Sequence, residues 1–302
     1  MKVNRIRQNV LPVLAALIWG TAFVAQSVST DHVGAFTFNA ARSAIASVFL
    51  LALCLILRAV RRKGSSQETV PSSGAKDLIV ASLCCGTALT VACFLQQKGL
   101  ETTTSGKAGF ITALYIVIVP MIGLLMKKHT PKTVWCSIPF AAVGLYLLCV
   151  KEGFTVTVGD FYVLLCAFAY SVHILVIDHF TQKVDGVALS CGQFMTATVL
   201  SSLGMILTET PSLAGIMACI GPILYVGIFS SGVAYTLQIL AQKDSNPTVV
   251  SLLMSLESVF ATLAGAIILH DRMSGREYLG CVIMLAAVVL AQLPEPKKKA
   301  IS

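Results

Sequence analysis

Ten apolar stretches, each about twenty residues long, follow one another along the chain with only short polar connections: 10–29, 35–57, 78–96, 108–126, 133–150, 161–177, 188–207, 216–239, 249–269 and 278–293. A hydrocarbon core about 30 Å thick takes about 20 apolar residues per helix, so lipid is the solvent for most of this sequence. Hydrophobic residues make up 56% of it and charged residues 12%, where a soluble domain carries about 25% charge. With no water in the bilayer core, backbone polar groups must be satisfied within a segment. The expectation is an all-α integral membrane protein with ten transmembrane helices. Lys2, Arg5 and Arg7 precede the first stretch in the manner of a secretory signal. That stretch is longer than a signal core of about 7–15 residues, and nine more follow, so it reads as a retained helix.

The basic residues give an orientation. With the N-terminus in the cytoplasm and ten alternating spans, cytoplasmic segments hold sixteen Lys and Arg, outer segments hold Lys98, Lys107, Lys151, Arg272 and Arg276, and Arg42 lies within a span, which accounts for all 22. Lys and Arg in short loops set topology, so both termini are expected on the cytoplasmic side. Charge divided among loops in this way suits a membrane surface and gives no reason to expect nucleic acid. The longest polar segment, 58–77, is a loop too short to be a domain, so function must reside among the helices.

Five is an odd number, so a second set of five helices enters the membrane from the opposite face. A polar joint at 151–160 divides the chain into 1–150 and 151–302, two five-helix repeats of inverted topology. The fourth and ninth spans align without gaps, Leu114, Val117 and Gly123 falling on Leu256, Val259 and Gly265. Such repeats are a transporter architecture, with the site near mid-membrane at the repeat interface. The fifth and tenth spans are almost purely apolar and suit lipid or a second copy of the chain; a homodimer through these two helices is one expected partnership. The others carry Gln26, Thr37, Asn39, Thr87, Thr90, Thr112, Tyr115, Tyr170, His173, Gln193, Thr196, Tyr225, Tyr235 and Gln238. Polar groups are costly against lipid and should turn inward, as a cavity lining or as glue between helices. Pro120 should kink the fourth span.

Glu257 lies near the middle of the ninth span, where a bare carboxylate costs at least about 2.5 kcal/mol. It serves substrate contact or proton coupling, or it is a protonated structural group. It also points away from the face shared by Ser251, Ser255, Ser258 and Thr262. Arg42, about two turns inside the second span, can snorkel outward, pair with Glu257, or hold a substrate carboxylate. His173 is a satisfied interior histidine or a proton relay. Trp19, Tyr115, Tyr170 and Tyr235 serve packing or aromatic recognition. The expected cavity set is therefore Trp19, Arg42, Tyr115, Tyr170, His173, Tyr235 and Glu257. No metal is expected, since His173, Asp178 and His179 lack ligand spacing, and no cofactor is expected. Ser105-Gly106-Lys107-Ala108 fails as a phosphate loop because Glu101 stands where the first glycine belongs. HExxH and GxSxG are both absent, so an enzyme is not expected. The ten cysteines lie in or at the edge of apolar stretches and suggest neither disulfides nor zinc.

Over nearly its whole length the chain resembles the drug/metabolite transporter superfamily, and within it the bacterial EamA-type permeases. The resemblance is carried by Ala16-Leu-Ile-Trp-Gly-Thr-Ala-Phe23, by Thr104-Ser-Gly-Lys-Ala-Gly-Phe-Ile-Thr-Ala-Leu-Tyr115 with Val119-Pro120, and by Ser255-Leu-Glu-Ser-Val-Phe-Ala261 leading to Leu269-His-Asp271. The family's Pro after the glutamate is Ser258 here, and Asp271 stands where the family often has Glu. The resemblance implies a multi-pass protein of the bacterial cell membrane. It implies a secondary transporter of small metabolites, often amino acids or related compounds and frequently outward, working by alternating access as the two inverted halves rock. A sugar or nucleotide-sugar carrier of the same superfamily would need more basic residues than Arg42 and Lys107. A non-transporting assembly or receptor subunit is the alternative from outside the transporters.

Overall fold

The structure is a computed structural model that describes residues 2–63, 74–128, 130–149, 156–243, 245–268 and 273–293. His270 and Asp271, half of the 58–77 loop, half of the 151–160 joint and the C-terminal lysines 297–299 lie outside the described residues. Among the described residues every regular element is a helix. In chain order these are α1 (Lys2–Ser29), α2 (Ala35–Lys63), α3 (Ala75–Leu100), α4 (Ser105–Thr112), α5 (Tyr115–Leu125), α6 (Lys132–Cys149), α7 (Val158–Phe180), α8 (Gly186–Thr208), α9 (Leu213–Ala218), α10 (Ile220–Tyr225), a π-helical segment (Val226–Ala234), α11 (Tyr235–Gln242), α12 (Pro247–Met254), α13 (Glu257–Ile268) and α14 (Gly275–Ala291).

Eight of the helical spans are long and apolar enough to cross a membrane, α4–α5, α10–α11 and α12–α13 each counting as one. The fifth and tenth expected spans are α6, with 18 residues, and α14, with 17. Neither is among those eight, so among the described residues length and apolar character give eight spans rather than ten. Local chemistry sets the helix starts. Thr157 and Asp160 form a reciprocal capping box at α7, as Ser274 and Glu277 do at α14, and Asn246 caps α12 with Pro247 in its first turn; each satisfies backbone donors that have no intrahelical acceptor.

Two spans are interrupted in the same way. Between α4 and α5 the backbone takes three-residue steps, Leu114 N to Ile111 O and Ile116 N to Ala113 O. Between α12 and α13 the bonds are Leu256 N to Leu253 O and Ser258 N to Ser255 O. The first break precedes Pro120, which sits within the continuous α5. The second forms although Ser258 replaces the family's proline. The broken spans run antiparallel, α4 against α13 and α5 against α12.

The most extensive helix contacts join the first half of the sequence to the second: α6 with α14, α3 with α7, α2 and α3 with α8, and α1 with α13. Small residues allow several of these approaches. A Cβ on Gly20 would meet the Glu257 carbonyl at 2.6 Å, and one on Gly159 would run into the Gly99 carbonyl. Polar residues mostly turn inward, but Thr87 is exposed.

Candidate functional site: a cavity between broken helices

A cavity of about 460 Å³, its mouth included, lies midway along the spans. The interruptions place its two central polar groups. Tyr115 opens α5 and Glu257 opens α13, and the Tyr115 hydroxyl donates to Glu257 Oε1 at 3.1 Å. Because each helix restarts at these residues, their side chains leave the spans where the two broken helices cross. On the serine face of the ninth span Ser251 bonds Thr248 O, Ser255 bonds Leu252 O and Thr262 bonds Ser258 O, while the Ser258 hydroxyl has no hydrogen-bond partner; none of the four lines the cavity, whereas Glu257 does.

Six of the seven expected residues line this cavity: Trp19, Arg42, Tyr115, Tyr170, Tyr235 and Glu257. His173 does not. It is fully buried behind the wall, its Nε2 3.1 Å from Gln193 Oε1 and its ring edge-on to Tyr235 at 6.0 Å. Residues outside the expected set complete the lining, notably Gln96, Ser230 and Met254. Gln96 was legible as a polar group near the end of a span. Ser230 was not, because its role follows from a π-helical register: Trp19 Nε1 donates to its carbonyl at 3.3 Å.

The wall is a hydrogen-bonded chain. Tyr235 donates to Tyr170 at 3.0 Å, Tyr170 to Gln96 Oε1 at 3.4 Å, and Gln96 Nε2 to Thr112 at 3.4 Å. Trp19 stands edge-on to Tyr235 with centroids 4.8 Å apart, a favoured aromatic geometry. These contacts fix ring orientations on rigid helices, the condition for shape selection.

Arg42 and Glu257 are the basic and the acidic side chain of the lining. Arg42 is 2% exposed, so it does not snorkel. Its guanidinium lies over the Phe38 ring at 5.8 Å, and its Nε has no hydrogen-bond partner. Among the described residues the ion pairs are Lys98–Glu101, Lys107–Asp160 and Lys128–Asp178. Arg42 and Glu257 therefore face one cavity without forming an ion pair with each other or with any other described residue.

Comparison with known proteins agrees with this architecture. The model of the EamA-like transporter family matches residues 8–150 and again 157–293. An uncharacterized transporter of Archaeoglobus fulgidus is 29% identical over 298 residues, 96% of this chain and 87% of the relative. One from Methanothermobacter thermautotrophicus is 23% identical over 92% of this chain and 84% of its own length. A solved crystal structure superposes with a TM-score of 0.75 at 20% identity, over 94% of this chain and 96% of that one, and carries the same fold.

Proposed function

This chain belongs to the EamA-like transporter family, and from that premise we propose that it is a secondary transporter of small amphoteric solutes, amino acids or close relatives, moved outward by alternating access. The observation that carries the substrate class is that one cavity is lined by a basic and an acidic side chain, Arg42 and Glu257, neither of them in an ion pair with a described residue. An unpaired buried charge carries a desolvation penalty of several kcal/mol. A solute bearing both a carboxylate and an ammonium relieves both at once. Either charge alone, on a fatty acid or an amine, relieves one and leaves the other. A single cationic side chain on the cavity argues against phosphate-bearing cargo, for which several are the usual provision.

Ten membrane helices in two inverted five-helix units remain our reading of the topology, with α6 and α14 as the shorter fifth and tenth. Its support is the repetition of one broken helix at a constant offset, α4–α5 and α12–α13, running in opposite directions. Outward movement rests on the family resemblance alone. Cells overproducing the protein are expected to resist toxic amino acid analogues; heightened sensitivity would reverse the direction.

Thermal unfolding of the purified protein tests the substrate class. Free amino acids are expected to raise the midpoint, while their amides, N-acetyl derivatives and decarboxylated amines raise it less. Arg42→Gln should remove the preference for the acid over its amide, and Glu257→Gln the preference for the amine over its acetyl derivative. If amides protect as well as acids, Arg42 does not read a carboxylate. If no amino acid shows saturable counterflow in liposomes, the class itself is wrong.

A further inference from the structure

Two buried polar atoms on the cavity lining find no hydrogen-bond partner among the described residues, the Nε of Arg42 and the Oε1 of Gln238. The first is a donor and the second an acceptor. Arg42 is the carboxylate contact of the proposed function, whereas Gln238 has no part in it. Gln238 is 2% exposed and lies on α11, one turn beyond Tyr235.

A relay of amides decides that the bare atom is the oxygen. The main-chain carbonyl of Ile174 can only accept, so the Gln242 side chain must meet it with its nitrogen, which it does at 2.8 Å. That leaves Gln242 Oε1, again only an acceptor, for Gln238, whose nitrogen donates to it at 3.1 Å. Gln238 is thereby held with its oxygen as the free end. Reversing either amide would set oxygen against oxygen, and both side chains are buried, where a mismatch is costly.

Position along the fold separates this acceptor from the two charged residues. Glu209, just past the end of α8, caps α2, so Arg42, seven residues into α2, lies toward that end. Gln182, before the start of α8, bonds the Lys243 carbonyl, so Gln238, four residues from the end of α11, lies toward the opposite end. From that opposite end α12 begins, and Glu257 follows its first residue by ten. At about 1.5 Å per residue, the backbone order is Arg42, Glu257, Gln238. Met254, also on the lining, is one turn from Glu257 on the Gln238 side.

We propose that the Gln238 side-chain oxygen reads a hydrogen-bond donor on the solute's side chain, a hydroxyl, amide or ammonium group, and that Gln242 is the positioning residue that holds it oxygen-first. The proposal rests on the amino acid reading and narrows it to members with a donor-bearing side chain. An amino acid whose carboxylate and ammonium engage Arg42 and Glu257 has its side chain left to extend past Met254 toward Gln238. A hydroxyl or amide there supplies the missing bond; a methyl group of the same shape leaves the acceptor buried and bare. Sites built to bond a polar group reject the analogue that lacks it more strongly than apolar pockets reject an added hydroxyl. Stranding a buried neutral acceptor corresponds to about tenfold or more in affinity.

Matched amino acids test this on the purified protein, with half-saturating concentrations read from the thermal unfolding midpoint. The pairs are threonine and valine, asparagine and leucine, lysine and norleucine. Within each pair that binds, the donor-bearing member is expected to saturate at a concentration about tenfold or more below its apolar partner. Gln238→Leu should bring the two members to parity or reverse their order. Gln242→Leu frees the Gln238 amide to turn, and should narrow the gap between homoserine, whose hydroxyl donates, and its isomer O-methylserine, whose ether oxygen only accepts. A purely structural role at either position would weaken both members of a pair alike, and that result overturns the assignment. Apolar members that bind the unaltered protein as tightly as their partners also overturn it, whether or not a variant folds, and leave the amino acid reading standing. Saturation by none of the six, with no counterflow of any of them in liposomes, removes that reading and the proposal with it.

Discussion

The hydroxyl of Tyr115 and the carboxyl of Glu257 meet at 3.1 Å although they stand 142 positions apart, and each is the first residue of a helix that resumes after a break. One pair thus joins corresponding points of the two broken spans at the centre of the cavity. A hydrogen bond to a charged group is worth about 1.5–3 kcal/mol, one between neutral groups about 1. Tyr115→Phe and Glu257→Gln should therefore be non-additive in thermal stability, with a coupling of about 1–3 kcal/mol in a double-mutant cycle. Strict additivity would mean that the two groups do not interact in the membrane.

Gly20 is predicted to be intolerant of any side chain. A methyl group there would sit 2.6 Å from the Glu257 carbonyl and 2.7 Å from the Ala261 nitrogen, and backbone cannot give way as a side chain can. Overpacking of this kind costs about 1–3 kcal/mol. Gly20→Ala should lower the unfolding midpoint, whereas Gly106→Ala, with open space around its Cβ, should leave it unchanged or slightly raised. Equal effects at the two positions would contradict the close approach of α1 and α13.

Glu209 follows α8 and caps the start of α2 from across the fold. Its carboxylate accepts from Phe36 N and Thr37 N, each at 2.8 Å, and from the Thr37 hydroxyl at 2.7 Å. A carboxylate at a helix N-terminus satisfies orphan donors and complements the dipole, together worth about 1–2 kcal/mol. Glu209→Ala should destabilise by about that amount and Glu209→Gln by less. Hydrogen exchange should localise the loss to the first turn of α2.

Lys107 and Asp160 form an ion pair with side chains 15% and 7% exposed. Removing one partner of a shielded pair strands the other's charge. Asp160→Asn should therefore cost more stability than Lys107→Gln/Asp160→Asn together, by about 1 kcal/mol or more, and the difference should be little affected by salt. A double variant worse than the single one would show that the pair has little coupling.

The membrane class, the helix positions and most of the cavity wall were legible in the residues. Twenty-residue apolar runs admit one solvent, and polar side chains within them admit few directions, so Trp19, Arg42, Tyr115, Tyr170, Tyr235 and Glu257 could be singled out before any coordinates. His173 was misplaced by the same reasoning: its residue type and depth resemble those of a lining group, and packing sets it against the Tyr170 and Tyr235 rings and outside the lining. The helix interruptions were read through Pro120 and through a proline the chain lacks. Both form instead at Ala113–Leu114 and Ser255–Leu256, where side-chain type gives little warning.

The sequence by itself determined that this protein dissolves in a bilayer as helices, because backbone polar groups in lipid have no other way to be satisfied over such lengths. Tertiary structure alone decided which helices touch. Period and hydropathy describe one helix at a time, whereas the interleaving of the two halves and the meeting of Tyr115 with Glu257 follow from how glycine contacts and ion pairs fit between helices far apart in sequence. Those fits depend on shape in three dimensions, which no single segment encodes.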